Sequence, residues 1–291
     1  MNNILVTGGN GQLGSELKEI ASNYPDYNFL FTDVKDLDIT NHTAVAAFIK
    51  SNNINVIINC AAYTAVDKAE SEPKLSDAIN HLAVANFAQI AKDNNIKLIH
   101  ISTDYVFDGT NHKPYVETDT PNPKSVYGVT KLDGELAMQQ INPANSIIIR
   151  TSWVYSKFGN NFVKTMLRLA ETRDEISVVA DQIGSPTNAA DLAEAILNIL
   201  PQISNETVEL FHYSNEGVCS WYDFAKAIFE INELDIKVNP VESKQYPTPT
   251  ERPFYSVMNK GKIKERYQVD IPNWRETLIS LKKRIKGVSE E

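Results

Sequence analysis

Short apolar runs alternate with longer amphipathic stretches through the first two hundred residues of the chain. Most of the apolar runs are nearly continuous, which is typical of strands that helices cover on both faces. The alternation predicts βαβ units around a parallel sheet. Strands are expected at 4–7, 29–32, 56–59, 98–102, 147–150 and 176–179, with helices near 12–23, 42–52, 72–94, 126–140, 160–173 and 189–200.

The hydrophobic pattern becomes less regular after Pro201. Helices are expected at 221–231 and 277–285, and the Pro-rich loop between them, 246–253, is typical of a lid or a pocket wall. The fold predicted is α/β, a doubly wound, Rossmann-like parallel sheet with a smaller C-terminal substrate-binding lobe. A disordered tail is expected after Lys286. The expected domains are a dinucleotide-binding domain over 1–153, continued by about 176–206, and a substrate-binding lobe over 154–175 and 207–291.

Composition narrows the class of protein. The formal net charge of −9 disfavours a nucleic-acid partner, for which a basic stripe is expected. The sequence has neither an apolar run of about 18 residues to span a bilayer nor the basic and apolar regions of a signal peptide, so a cytoplasmic protein without membrane contact is expected. Cys60 and Cys219 are too few for a disulfide framework and belong to no Cys/His cluster with metal-binding spacing, so two reduced thiols are expected.

A glycine-rich turn, GGNGQLG over 8–14, follows the first expected strand and precedes the first expected helix. It can be matched as G-x-G-x-x-G or as G-x-x-G-x-x-G. In either case glycine permits the tight turn, the backbone approaches a pyrophosphate closely, and the helix N-terminus faces the negative charge. This context predicts a dinucleotide site. Its expected contacts are Gly8, Asn10, Gly11, Gln12, Leu13 and Gly14.

Asp33 closes the second expected strand, at about the spacing from the glycine turn where a carboxylate accepts hydrogen bonds from ribose hydroxyls. Such a carboxylate favours NAD. Lys35 could instead meet a 2′-phosphate, so the choice between NADH and NADPH stays open. Asp33 as a solvated turn residue is the alternative. Further cofactor contacts are expected where the second and third strands end, from Asp38, Ile39, Ala61, Ala62 and Tyr63.

Tyr127 and Lys131 are four residues apart, on one face of an expected helix, and Thr103 ends the fourth expected strand. Reduction of a carbonyl develops negative charge on its oxygen, which needs a proton donor and a hydrogen bond. We expect Tyr127 to donate the proton and Thr103 to orient the carbonyl. We expect Lys131 to lower the pKa of the phenol and to bind the nicotinamide ribose. The alternative is a half-buried tyrosine beside a solvated lysine.

Motifs along nearly the whole chain resemble the extended short-chain dehydrogenase/reductase family. STDYVF and RTSWVY resemble the branch of this family that reduces dTDP-4-dehydrorhamnose rather than its sugar epimerases or dehydratases. The motifs are GGNGQLG (8–14), AAYTAVDKAE (61–70), STDYVF (102–107), YGVTK (127–131), RTSWVY (150–155), GNNF (159–162), DQIGSPT (181–187) and RP (252–253).

The resemblance implies an oxidoreductase that uses NADPH or NADH to reduce the 4-keto group of dTDP-4-dehydro-6-deoxy-L-mannose to dTDP-L-rhamnose, the last step of dTDP-rhamnose biosynthesis. It implies the catalytic roles already inferred from the residues. In these roles, Tyr127 is the proton donor, Lys131 is its partner, and Thr103 is the third catalytic residue. The substrate contacts that it implies are Thr103, Asp104, Trp153, Asn161 and Arg252.

Some members of this family are thought to dimerise through a magnesium site built from glutamates, and Glu16 matches one such position. The corresponding place after Pro186 and Thr187 carries no glutamate. No metal is therefore expected, and a monomer and a homodimer both stay open.

Two other functions are compatible with the fold. One is a non-catalytic subunit similar to the regulatory subunit of methionine adenosyltransferase, which need not keep Thr103, Tyr127 and Lys131. The other is an epimerase or dehydratase of the same family. A dehydratase should carry an acidic pair beside the threonine, whereas Asp104 is followed by Tyr105.

Overall fold

The computed structural model describes residues 2–286. Its strands are β1 (Asn2–Thr7), β2 (Tyr27–Thr32), β3 (Ile54–Asn59), β4 (Lys97–Thr103), β5 (Ser146–Thr151), β6 (Val154–Tyr155), β7 (Glu175–Val179), β8 (Ile183–Gly184), β9 (Thr187–Asn188), β10 (Glu209–His212), β11 (Cys219–Ser220) and β12 (Lys237–Val241). Its α-helices are α1 (Gln12–Ile20), α2 (His42–Ser51), α3 (Val66–Ala69), α4 (Pro73–Asp77), α5 (Ala83–Asn94), α6 (Val126–Ile141), α7 (Phe162–Ala170), α8 (Ala189–Ile199), α9 (Trp221–Asn232), α10 (Gly261–Tyr267) and α11 (Trp274–Lys286).

Six strands form one parallel sheet in the order β10-β5-β4-β3-β1-β2. The chain runs from β1 outward to β2 and returns to β3 on the other side of β1. At such a reversal of strand order the connections leave in opposite directions and open a crevice at the carboxyl ends of the strands. The predicted doubly wound parallel sheet is confirmed, and its crevice lies beyond Thr7 and Asn59.

Helices cover both faces of this sheet because its strands are apolar on both sides. On one face α1 and α8 pack through Leu17 and Ile196 against alternate residues of β1 and β3. On the other face α2, α5 and α6 pack against the intervening residues, with Phe87 and Met138 fully buried. The sheet therefore holds α1 and α6 on opposite sides of the same crevice.

A third group of buried side chains surrounds β7, β12 and the helices α7, α9 and α11. The strand expected at 176–179 is confirmed as β7, but its expected place in the central sheet is wrong, because β7 pairs in parallel with β12. The edge position beside β5 is taken by β10, inside the range expected for the substrate-binding lobe. A short apolar run indicates a strand without specifying its partner, which packing decides. The division of the chain into two domains stays a prediction.

The helix expected over 72–94 is interrupted between α4 and α5 by a π-helical turn, Ala78–Leu82. Such turns are frequent at functional sites, and Asn80 of this one donates to Thr130 of α6 at 3.3 Å. The helix α10 was not expected. The expected disordered tail after Lys286 lies outside the described residues. Between residues 2 and 286, no helix is both long and apolar enough to cross a membrane.

Candidate active site

A cleft of about 680 Å³ opens along the carboxyl ends of β1, β3, β4 and β5, where the strand order reverses. Most residues predicted from sequence to form the site line this cleft. They are Gly8, Gly11, Gln12, Leu13, Asp33, Asp38, Ile39, Ala61, Ala62, Thr103, Asp104, Tyr127, Lys131 and Trp153. The predicted site residues outside this lining are Asn10, Gly14, Tyr63, Asn161 and Arg252.

The glycine turn fits a closely bound phosphate group. Gly8 has a φ of 65°, and a Cβ at this position would lie 2.8 Å from the backbone nitrogen of Ala61, so the turn requires glycine. A Cβ on Gly14 would collide with the carbonyl oxygen of Gly8. Gly14 therefore serves the packing of α1 against the turn. Gly11 is the N-cap of α1, and no side chain of the described residues caps this end, which leaves its first N–H groups to an anion.

The Asp33 carboxylate lies at the cleft and joins two segments of its wall. It accepts hydrogen bonds from the backbone N–H groups of Asn10 at 3.1 Å and Val34 at 2.7 Å. Asn10 thereby contributes to the shape of the glycine turn through its backbone. Lys35 is exposed two residues further on. A carboxylate at this position accepts from hydroxyls and repels a phosphate, whereas an ammonium attracts it.

The turn after β3 places Ala61 and Ala62 in the cleft wall. Tyr63 bonds elsewhere: its hydroxyl donates to Glu72 at 2.7 Å, and its backbone N–H donates to Asn80 at 2.9 Å. Tyr63 therefore fastens this turn to the helices beside it. The sequence places all three residues at the sheet edge without showing which side chain faces the cleft.

Thr103, Tyr127 and Lys131 lie on one wall of the cleft, as the sequence predicts. Tyr127 is 8% exposed and Lys131 is 1% exposed. Ser125 caps α6 by accepting a hydrogen bond from the backbone N–H of Gly128 at 3.0 Å, which fixes where this helix begins. The cap sets the turn of α6 that presents Tyr127 beside the end of β4.

The Lys131 ammonium bonds to the protein interior. Its Nζ donates to the carbonyl oxygen of Ile101 at 2.6 Å and lies 3.5 Å from Nε2 of His100. Burial lowers the pKa of Lys131 to about 8, while Glu135 and Cys60 act in the opposite direction. Lys131 is therefore charged near neutral pH and loses its proton in mildly basic solution.

Burial also controls the Tyr127 phenol, whose pKa lies above its ordinary value. A hydrogen bond with Thr103 lowers this pKa, whereas Asp104 and Tyr105 raise it further. The net shift is upward because desolvation of the phenol is the largest effect, and the lowering expected from Lys131 stays a prediction. Tyr127 is a neutral phenol, which is the form that can donate a proton.

Asp104 and Trp153 extend the cleft beyond these three residues. Burial raises the pKa of Asp104 to about 6, and hydrogen bonds from Ser256 and Thr103 lower it in part. Trp153 has a φ of 50° and stacks on Trp221, with ring centroids 3.6 Å apart. A non-glycine residue in this backbone conformation persists where its surroundings determine it, and such residues concentrate at binding sites.

Asn161 lies beside the cleft and acts on it through Gln12. Its side chain caps α7 by accepting from the backbone N–H of Lys164 at 3.1 Å. Its amide donates to the side chain of Gln12 at 3.0 Å, and Gln12 lines the cleft. Its polar groups already have these partners, and the substrate contact expected of Asn161 stays a prediction.

The Pro-rich loop packs against the cleft wall, where a lid or pocket wall was expected. The Thr250 hydroxyl donates to the carbonyl oxygen of Val66 at 3.3 Å. The Arg252 guanidinium donates to Asp67 at 2.9 Å and to the hydroxyl of Tyr105 at 3.2 Å. Arg252 thus holds this loop against the cleft wall and does not itself line the cleft. Val66 and Tyr105, which the loop contacts, do line it.

The support beneath the site was missed by sequence reasoning. Glu135 of α6 is 1% exposed and accepts a hydrogen bond from Ser102 at 2.5 Å. It also accepts from Arg150, whose Nε lies 2.9 Å and 3.2 Å from the two carboxylate oxygens and whose Nη2 lies 2.6 Å from one of them. These bonds join α6 to β4 and β5. No spacing in the sequence relates Glu135 to Ser102 or Arg150, because they meet only when α6 packs on the sheet.

Glu16, the residue that matches a family metal position, is fully buried in α1. One carboxylate oxygen accepts from the Ser156 hydroxyl at 2.6 Å and the other from Arg284 at 2.5 Å. A magnesium ion needs carboxylate oxygens that are free to coordinate it. The donors around Glu16 do not fit such an ion.

Residues 1–286 match the family described as RmlD substrate binding domain. The chain is 44% identical over 282 residues to a dTDP-4-dehydrorhamnose reductase of Sinorhizobium fredii, with 94% of each chain covered. The crystal structure of dTDP-4-dehydrorhamnose reductase from Bacillus anthracis in complex with NADP has a TM-score of 0.92 and 40% identity, covering 98% of this chain and 100% of that one. A dTDP-glucose 4,6-dehydratase of the same organism, 18% identical with a TM-score of 0.81 over 99% and 97% of the chains, shares the fold.

Proposed function

Since this chain belongs to the RmlD substrate binding domain family, we propose that it reduces the 4-keto group of dTDP-4-dehydrorhamnose to give dTDP-L-rhamnose. The proposed coenzyme is NADPH or NADH, and the proposed proton donor is Tyr127. The substrate is inferred from the relatives, because a protein that is 44% identical over most of its length is named for this reaction.

One observation carries the proposal. The buried Tyr127 and Lys131 share a cleft wall with Thr103, and the same cleft begins at the glycine turn. A non-catalytic binding subunit has no need to bury a lysine and a tyrosine together, since burial of an ionisable group is costly. The arrangement supports an enzyme that handles a proton next to a bound dinucleotide.

The cleft wall has the properties that a dinucleotide requires. Gly8 and Ala61 approach each other so closely that position 8 has no space for a side chain. The cleft wall at this point therefore consists of backbone atoms that a ligand can approach. The first turn of α1 would hold the pyrophosphate, and Asp33 would accept from the ribose hydroxyls of the adenosine. Asp38, Ile39 and the turn after β3 would complete the wall around the adenine and the nicotinamide ribose.

The proposed reaction adds a hydride to a carbonyl carbon and a proton to its oxygen. When bound, the nicotinamide coenzyme supplies the hydride. Tyr127 donates its phenolic proton to the oxygen as that atom becomes a hydroxyl. The Thr103 hydroxyl orients the carbonyl, and the Lys131 ammonium stabilises the phenolate that remains.

The other predicted substrate contacts are arranged around this point. Asp104 would accept hydrogen bonds from sugar hydroxyls, and the plane of Trp153 would pack on the sugar or the base. Arg252 would bind the diphosphate after exchanging Asp67 for it. A guanidinium suits that role because it binds phosphate oxygens in pairs.

The proposal is tested by assaying the wild-type protein and a variant of the proposed proton donor. Purified protein is expected to oxidise NADPH or NADH only when dTDP-4-dehydrorhamnose is supplied, measured by the loss of reduced-coenzyme absorbance. Tyr127→Phe is expected to lower kcat by about 10²–10⁴-fold, because the proton donor is removed. Its coenzyme affinity is expected to change little.

The matched control is Tyr155→Phe, which removes another buried hydroxyl. Tyr155 bonds to Thr277 at 2.8 Å, away from the cleft, so this variant is expected to keep the wild-type kcat. Wild-type protein that leaves both coenzymes unchanged in the presence of the substrate would contradict the reductase. A Tyr127→Phe variant as active as Tyr155→Phe would contradict the role of Tyr127.

A further inference from the structure

A row of buried polar side chains crosses the carboxyl end of the sheet from the glycine turn to Lys131. Thr7, Asn59 and His100 are register partners on β1, β3 and β4, and each is fully buried. The Thr7 hydroxyl donates to Oδ1 of Asn59 at 2.7 Å. Nδ2 of Asn59 lies 3.1 Å from Nδ1 of His100. Nε2 of His100 faces Nζ of Lys131 at 3.5 Å.

The direction of the hydrogen bonds in this row follows from the orientation of the Asn59 side-chain amide. The backbone N–H of Ala61 lies 3.4 Å from the Thr7 hydroxyl oxygen and can only donate. Thr7 accepts this bond and donates a hydrogen bond to Oδ1 of Asn59, which can only accept, so the amide NH₂ of Asn59 donates to Nδ1 of His100. A neutral imidazole with an acceptor at Nδ1 carries its proton on Nε2.

His100 is neutral in this environment. Burial holds its pKa well below the ordinary value, and the Lys131 cation lowers it further. The neutral ring therefore turns an N–H group toward the Lys131 amino group. An N–H group cannot accept a hydrogen bond from an ammonium.

We propose that His100 is a positioning residue for the reduction: held by Asn59 as the Nε2–H tautomer, it denies Lys131 a second interior acceptor and leaves the remaining donors of the lysine for the cleft. This inference rests on the proposed function of Lys131. The interior then satisfies one N–H of Lys131, at the carbonyl oxygen of Ile101. The other two remain for the ribose hydroxyls and for the phenolate of Tyr127.

The charged and polar groups around Lys131 determine how the loss of His100 changes the pKa of the lysine. Cys60 lies at the end of β3, and burial raises the pKa of its thiol to about 12, so it stays neutral. Glu135 lies one turn along α6, and Arg150 compensates its charge. His100 is the facing group on β4, and its N–H dipole disfavours the ammonium. Removal of this dipole is expected to raise the pH at which Lys131 loses its proton.

The tautomer is measured directly in the full-length protein without substrate or coenzyme. Histidine is labelled with ¹⁵N, and two-bond ¹H–¹⁵N correlations identify the protonated ring nitrogen. The chain has five histidines, and the signals lost in His100→Gln assign His100. We expect a neutral ring with its proton on Nε2 at neutral pH. A proton on Nδ1, or on both nitrogens, overturns the proposal.

Two variants test the consequence for catalysis. The amide of His100→Gln can accept from Asn59 and donate toward Lys131, so its kcat/KM is expected within about threefold of wild type. His100→Leu can do neither. We expect it to lower kcat/KM by about tenfold, because the Nδ1 acceptor for Asn59 is lost and the row no longer fixes the wall beside Lys131. We expect the basic limb of its pH profile to move upward by about one pH unit.

The matched control is His212→Leu, which removes another buried, neutral imidazole from the adjacent part of the sheet, away from Lys131. It is expected to leave the basic limb in place. A basic limb of His100→Leu that stays in place or moves downward overturns the proposal. If His100→Leu fails to fold, the proposal is tested by the tautomer of His100 and by the kcat/KM of His100→Gln. A wild type without reductase activity contradicts the proposed function. The tautomer of His100 still shows in that case whether Asn59 holds the ring as proposed.

Discussion

At the scale of single residues, withdrawal of water sets the protonation states in the cleft. Burial raises the pKa of Asp104 to about 6 and lowers that of Lys131 to about 8. Both shifts favour the neutral form of the group, because a buried charge loses its hydration. Between these two values Asp104 is a carboxylate and Lys131 is an ammonium, so the site carries both charges only within that window.

The pH dependence of the reaction should reflect this window. We expect kcat/KM to fall below about pH 6, where Asp104 takes up a proton, and above about pH 8, where Lys131 loses one. The measurement is the pH profile of substrate-dependent coenzyme oxidation. Asp104→Asn should remove the acidic limb and leave the basic one. A wild-type profile that is flat from pH 5 to about pH 9 would contradict these assignments.

Coenzyme preference should depend on Asp33. Asp33→Asn removes a negative charge at the position that would face a 2′-phosphate, while its amide oxygen can still accept from a backbone N–H. We expect the ratio of kcat/KM for NADPH to that for NADH to rise by about tenfold, and Lys35→Ala to lower the same ratio. Parallel assays with the two coenzymes measure it. Equal ratios in wild type and Asp33→Asn would exclude this role for the carboxylate.

At the scale of elements, α6 carries the proposed catalytic residues Tyr127 and Lys131, and an ion pair fastens this helix to the sheet. Glu135 lies two turns after Tyr127 and accepts from both Arg150 and Ser102. Both partners of the ion pair are almost fully buried, at 2% and 1% exposure of their side chains. A buried pair contributes little net stability when compared with apolar residues, but the loss of one partner leaves a buried charge.

Disruption of this pair should therefore destabilise the whole protein. Arg150→Met is expected to lower the free energy of unfolding by about 3–5 kcal/mol, and the addition of Glu135→Leu is expected to restore part of it. Urea denaturation of the single and double variants measures both effects. A double variant less stable than Arg150→Met would show that the charge of Glu135 is compensated by another group.

At the scale of the whole molecule, the two ends of the described chain meet. Glu16 of α1 is fully buried, and Arg284 of α11 supplies its cation. Arg284 also reaches Glu19 at 3.2 Å, so one guanidinium holds two carboxylates of α1. The helix at the proposed dinucleotide site is thus fixed by the helix that ends the described chain.

Loss of this link should affect stability more than a surface pair does. Arg284→Met is expected to lower the free energy of unfolding by at least about 2 kcal/mol, because Glu16 keeps a buried charge. Arg275→Met is the control on the same helix, where the pair with Glu230 is exposed and is expected to contribute less than about 1 kcal/mol. Thermal and urea unfolding compare the two. Equal effects would show that the charge of Glu16 needs no partner.

The candidate site shows which predictions a sequence supports well. The glycine turn, the strand ends and the Y-x-x-x-K spacing are local signals, and parallel strands bring all their carboxyl ends to one edge. Thr103, Tyr127 and Lys131 therefore reach one cleft in the structure as predicted. Tyr63, which follows Ala62 of the cleft, bonds to Glu72, and Arg252 of the Pro-rich loop bonds to Asp67, since side-chain direction in a turn or loop depends on its neighbours.

The sequence by itself determined five of the six strands of the central sheet, its flanking helices and its doubly wound class, because periodicity and turn chemistry act over a few residues. Tertiary structure alone decided that β10 rather than β7 completes the sheet. It also decided that Glu135 meets Arg150 and that Lys131 lies against His100. These contacts join residues on different elements, and both their partners and their pKa values are set by packing and by the exclusion of water, which no local pattern encodes.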